Sequence, residues 1–200
     1  MTQIFDHETE NDTEEAKLAV DFTLPKAGWV RVRVRPLHEL HAISCTYLWD
    51  PFVRMIEWLE QIADGSPAAT WSVDQEGSVS RLQFFGGCVD DRADYLLHIQ
   101  SDHRGIARVR AVKVDRRQLV EAFYRGFRRM TDDPGYSPRE WDAHPQYRWL
   151  NEMDDEEYDQ ACREYPYGGH WPRSLKSARL ESYLSREADR QLELFSRLGR

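Results

Sequence analysis

Four consecutive carboxylates, Asp154-Asp155-Glu156-Glu157, form the densest acidic run in the chain. Asp154 and Glu157 have the three-residue spacing of a capping box, with Met153 and Tyr158 placed to staple it. Acids in a first helical turn also complement the macrodipole, by about 0.3–1 kcal/mol each at exposed sites. Four in succession exceed what capping needs. Two uses stay open: a solvated helix start, or a surface for a basic partner. The surrounding residues 131–173 hold 8 of the 24 aromatics, with 11 acids against 4 bases. Trp141, Tyr147, Trp149 and Trp171 are therefore candidate anchors for a partner. The alternative is that these rings seal the C-terminal helices.

A second acidic group, Asp90, Asp91 and Asp94, follows Gly86-Gly87. Such carboxylates can hold Mg²⁺ or Ca²⁺, but the spacing is not that of an EF-hand, and a polar loop explains them as well. With His98 and His103 they are the candidates for a hydrolase or transferase with scattered catalytic residues. His38 and His41 read H-x-x-H. Zinc would need further ligands, and a three-residue step along a strand points to opposite faces. Cys45, Cys88 and Cys162 contain no CxxC pair, which suits free thiols in a reducing cytosol, with a nucleophilic role left open. No dinucleotide, P-loop, nucleophile-elbow, zincin or kinase signature is present. No metal, cofactor or catalytic residue is assigned on this basis.

Arg104 to Arg129 carries nine basic residues against Asp115 and Glu121, a local +7 in a chain of net charge −8. A basic strand and helix could track phosphates, so a nucleic-acid-binding protein is a further reading. Arg116 and Arg117 at a helix start oppose the dipole, however, and no reader motif is present. The internal account is that these arginines dock the acidic C-terminal segment. The negative net charge argues against a general DNA- or membrane-binding surface. The N-terminus lacks a basic region followed by an apolar one, and no apolar run is long enough to span a bilayer. These features lead to the expectation of a soluble cytoplasmic protein.

The elements that would position these groups follow from periodicity. Residues 1–16 carry six acids and no Lys or Arg, and read as a disordered tail. Val20, Phe22 and Leu24 alternate with polar residues, Pro25 to Gly28 is turn chemistry, and Val30, Val32 and Val34 alternate with Arg31, Arg33 and Arg35. This is an antiparallel hairpin with one buried face. A third strand over about 41–47 enters a helix capped by Asp50, with Pro51 at its first position and Gly65 ending it. Its apolar stripe is Phe52, Met55, Ile56, Leu59, Ile62 and Ala63.

Four short strands follow. They turn at Gln75-Glu76-Gly77, break at Gly86-Gly87 and turn again at 102–105. The alternation slips near Ala111, where a bulge or an end buried on both sides would account for it. A second helix over about 116–130 is capped by Asp115 with Gln118. Beyond it, Ser137 with Glu140 marks a short helix, and 175–198 reads as a helix with Leu184, Ala188, Leu192 and Phe195 on one face.

The expected fold is α+β: a twisted antiparallel sheet of about six or seven strands, helices mainly on one face, plus a helical C-terminal segment. Its parts are residues 1–16, 17–130 and 131–200. The stretch Ser44-Cys45-Thr46-Tyr47-Leu48-Trp49-Asp50-Pro51-Phe52, with Trp58-Leu59-Glu60, resembles a pattern in small uncharacterised bacterial α+β proteins. The resemblance covers residues 18–130. It implies an immunity protein that neutralises a toxin, and it carries over no functional residue. Together with the acidic, aromatic segment it leads to the expectation of a non-enzymatic immunity or inhibitor protein, whose basic partner would be a toxin or a nucleic-acid-binding enzyme.

Overall fold

The computed structural model describes residues 18–35, 40–89, 92–103, 106–141, 154, 156–157, 160 and 175–186. Among the described residues, seven strands form two antiparallel sheets, with orders β1-β2-β3 and β4-β5-β6-β7. The first contains β1 (Ala19–Phe22), β2 (Trp29–Arg35) and β3 (His41–Thr46). The second contains β4 (Ala68–Asp74), β5 (Ser78–Val89), β6 (Arg92–His103) and β7 (Ile106–Lys113). Helix α1 (Phe52–Ala63) joins the sheets, and α2 (Arg116–Thr131) and α3 (Pro138–Trp141) follow them. Residues 178–186 are also helical.

The expected single sheet is thus two, and the reason lies at the β3/β4 junction. No ladder joins these strands. Instead the Ser44 N–H donates to Gln75 Oε1 at 2.7 Å, and Gln75 Nε2 donates to Ser80 Oγ at 2.8 Å. A turn side chain therefore occupies the place of a backbone partner. Gln75 is held by a two-residue hairpin turn in which Glu76 (φ 57°) and Gly77 (φ 114°) are both left-handed.

Alternation places the core as expected. Val30, Val32 and Val34 are buried on β2, Trp71 and Val73 on β4, Leu82 and Phe84 on β5, and Leu97 and Ile99 on β6. Two expectations about the strands fail. β5 runs through Gly86-Gly87 without a break, paired to β6 as far as Val89↔Arg92. Glycine weakens a strand but does not end one whose backbone is fully paired across a long hairpin. The β6–β7 register is also continuous from His103↔Ile106 to Leu96↔Lys113, with no bulge at Ala111. The slipped alternation arises because β7 is an edge strand, where Val109 stays 50% exposed.

The helices begin and end through specific groups. Asp50 Oδ1 accepts from Phe52 N at 2.8 Å, although the first helical residue is Phe52 and Pro51 is the capping residue, one position later than expected. At the other end, Ser66 N donates to Gln61 O and Gly65 N to Ile62 O, with Gly65 at φ 92°. This is the Schellman pattern that the glycine signalled. Asp115 Oδ1 accepts from Gln118 N at 2.8 Å and starts α2. Glu140 does not close a box on Ser137. Its carboxylate accepts from Ala27 N at 3.0 Å, and its carbonyl from Gly28 N, so α3 clamps the β1–β2 turn.

Two ring clusters hold the helices to the sheets. Trp58 stacks on Trp71 at 5.9 Å, and Phe123 meets both edge-on, which joins α1, β4 and α2. Phe52 contacts Phe22, Phe127 and Trp141, which joins α1 to β1, α2 and α3. The helical stretch 178–186 is docked by polar groups. Ser177 Oγ caps it by accepting from Leu180 N and donates to Glu60 Oε1 at 2.6 Å. Ser177 N donates to the Tyr124 hydroxyl, which donates to Glu181 Oε1, both at 3.1 Å. Arg179 lies 3.1 Å from Asp64.

Two outcomes are expected. Helix α2 touches β1 at Gly126, where an added Cβ would lie 2.7 Å from Val20 O and 3.2 Å from the Phe22 ring. Gly126→Ala should lower urea-unfolding stability by about 1–3 kcal/mol, because backbone must move. Tyr124→Phe should cost ~1–3 kcal/mol by stranding the buried Ser177 N–H. A double-mutant cycle with Glu181→Ala should then be clearly non-additive, since Glu181 accepts from the same hydroxyl.

Candidate functional site

The acidic turn is built by its own backbone. Asp154 Oδ1 accepts from Glu157 N at 2.9 Å and from Glu156 N at 3.0 Å. Glu157 Oε2 accepts in return from Asp154 N at 3.4 Å. This is the reciprocal box that the spacing implied. Asp154, Glu156 and Glu157 are exposed, and no ion pair joins them to a described cation. Asp155 lies outside the described residues, as do Tyr147, Trp149 and Trp171.

Trp141 is placed, and it is not an available anchor. It is 4% exposed, with its ring 5.2 Å from Phe52. The α3 clamp on the β1–β2 turn turns it inward. Gly28 makes room for the closure: it sits at φ 81°, where a Cβ would strike the Tyr47 ring at 2.5 Å.

The described members of the candidate catalytic set are strung along one strand. His98 lies on β6, register-paired to Gln83 and Ala111, on the face away from the helices, and its ring meets Phe85 at 5.0 Å. Asp94 is opposite Gly87 on the same strand, about 13 Å along it at ~3.3 Å per residue. His103 ends the strand about 17 Å the other way. Asp90 and Asp91 are outside the described residues. A long straight hairpin therefore spreads groups that a loop would have clustered.

The arginines of 104–129 show local pairing. Arg117 and Arg125 both approach Glu121, Arg128 pairs with Asp132, and Arg116 lies over the Phe84 ring at 5.7 Å. The acidic partners expected for these arginines in the C-terminal segment lie largely outside the described residues; in the described stretch 175–186, Arg179 approaches Glu60 of α1 and Asp64 just beyond it. The local pairs have the four-residue spacing of one helix face; the Arg179 contacts join residues more than a hundred positions apart.

Sequence reasoning also missed a buried acid–thiol pair behind the α1 start. Cys45 is a fully buried free thiol. Burial, and then the nearby Asp50 charge, push it well above the usual thiol range. Asp50 is half-buried as a residue, but its Oδ2 is enclosed and has no hydrogen-bond partner. Desolvation raises it to about 6, against the lowering effect of the Phe52 N–H. Among the described residues no group of three His, Cys, Asp or Glu is placed to hold a metal. A cleft of about 140 Å³ between β1 and α2 is lined by Asp21, Arg129 and Asp133 among others. It is well under the ~300–1,000 Å³ of small-molecule sites. No helix among the described residues is long and apolar enough to cross a membrane. No family model matches the chain, and neither a curated protein nor a solved structure is similar to it.

Asp50 gives a pH signature. Its folded pKa lies above the ordinary value of 3.8, so the folded state holds the proton more tightly. Stability should fall as pH rises from 3.8 to about 6, then level off. The loss should be at most about 2 kcal/mol, reduced by the partial exposure. Asp50→Asn keeps an acceptor for Phe52 N and should flatten this dependence, as read from urea midpoints across the same range.

Proposed function

We propose that the protein is a non-enzymatic binding module of immunity or inhibitor type, which captures a basic protein partner through its acidic turn. The carrying observation is that three exposed carboxylates, Asp154, Glu156 and Glu157, sit in a self-capped turn with no described counter-ion. Charges that are already ordered lose little entropy on binding, and unmatched ones keep their full field for a partner. Asp155 belongs to the same acidic run in the sequence. Tyr147, Trp149 and Trp171 are the anchors in this reading, and buried Trp141 is not one of them. The partner is a toxin or a nucleic-acid-binding enzyme with a cationic face. The net charge of −8 favours fast association with such a partner. The catalytic alternative through His98, His103 and Asp90–Asp94 lacks a convergent cleft among the described residues. The nucleic-acid alternative would use the 104–129 arginines, of which Arg117, Arg125 and Arg128 are already ion-paired.

Neutralising the turn isolates its charge from its fold. Asp154→Asn and Glu157→Gln preserve capping chemistry, and Asp155→Asn and Glu156→Gln complete the set. Affinity capture from the native cell should recover a protein of strongly positive net charge. Recovery should drop about tenfold or more for the neutralised chain, and likewise at ~0.5 M salt. Capture that is indifferent to both changes would sink the proposal.

A further inference from the structure

The face of the β1–β2–β3 sheet opposite the buried valines carries charge of the opposite sign. Trp29, Arg31, Arg33 and Arg35 take alternate positions on the central strand, β2, opposite in parity to the buried valines. Register sets Ala19 beside Arg35 and Asp21 beside Arg33, with Ala42 and Ser44 on the other flank. Arg35 pairs with Asp21. Among the described residues neither Arg31 nor Arg33 has an acidic partner. Trp29, 39% exposed, ends the row. The result is a basic strip about 20 Å long, at ~3.3 Å per residue, on a chain of net charge −8.

We propose that this strip is the docking surface for the chain's own acidic segment, residues 6–15, which lies outside the described residues. Charge favours it: Asp6, Glu8, Glu10, Asp12, Glu14 and Glu15 face no Lys or Arg within residues 1–16. Position favours it: Leu18 is buried and Ala19 pairs with Arg35, so the segment joins the fold at the Arg35 end of the strip. Reach favours it: residues 6–15 extended span roughly 33 Å, more than the strip needs. Tethering also raises the local concentration to the order of mM, so individually weak surface pairs suffice to populate the docked state. The segment shields the arginines, and an outside anion must displace it. This surface is separate from the acidic turn and stands whether or not that turn binds a basic partner.

The test compares the full chain with one lacking residues 2–15, using the NMR signals of the Arg31, Arg33 and Arg35 Nε–H and the Trp29 indole N–H. Deletion should shift these signals. Raising salt to ~0.5 M should move the full chain toward the deleted one. Arg31→Gln with Arg33→Gln should remove the difference; these side chains point away from the core, so the fold is kept. A ten-residue oligo-glutamate probe should bind the deleted chain about fivefold more tightly than the full one. That gain should vanish with the two glutamines. Unmoved β2 signals, or perturbations centred on the α2 arginines, would overturn the proposal. So would shifts that depend on protein concentration, which would assign the strip to a second copy. Equal probe affinity for the two chains, or oligothymidylate binding that ignores the segment, would overturn it too.

Discussion

The missing ladder between β3 and β4 is the constraint on which the rest of the structure depends. Two sheets that share no backbone hydrogen bonds must be joined by something else. The joint is aromatic. Trp58, Trp71 and Phe123 fix the α1–α2 pair to the four-stranded sheet, and Phe22, Phe52 and Phe127 fix the same pair to the three-stranded one. Ring pairs add about 0.5–1.5 kcal/mol each beyond the area they bury, so two such clusters outweigh the single side-chain bridge through Gln75. Trp71 adds direction by donating its indole N–H to Pro51 O at 3.0 Å, which sets the start of α1 against β4.

Strand alternation puts the apolar residues of both sheets on their buried faces and polar groups on the opposite parity. The arginines of β2 and the Gln83, His98 and Phe85 group of β5 and β6 have that parity. Charge is therefore sorted by sheet parity as well as by sequence segment. The buried face tolerates little polarity. Where it keeps some, as at Asp50 and Cys45, desolvation drives both groups toward their neutral forms. Tyr124 is shifted upward mainly by burial, and it stays useful as a hydrogen-bond relay between α2 and Ser177.

Local signals were legible wherever one element explains itself. The valine alternation of β2, the Asp115 cap, the Gly65 terminus and the Asp154–Glu157 box each involve groups within a few residues, and each stands where its spacing put it. The candidate site was legible to the same extent: its turn could be read, but the burial of Trp141 could not. That ring turns inward because Glu140 grips the backbone of Ala27 and Gly28, a contact spanning more than a hundred residues.

Sequence alone thus determined the elements, their caps, the inward and outward faces of the strands, and the sign of charge on each segment. These depend on periodicity and on bonds between near neighbours. Tertiary structure decided that the sheet is split, that β5 continues through Gly86-Gly87, and that His98 and Asp94 are strung along one strand. It also decided that Arg179 meets Asp64 beyond the end of α1. Those outcomes turn on which distant surfaces meet, and no periodicity within a single element encodes that choice.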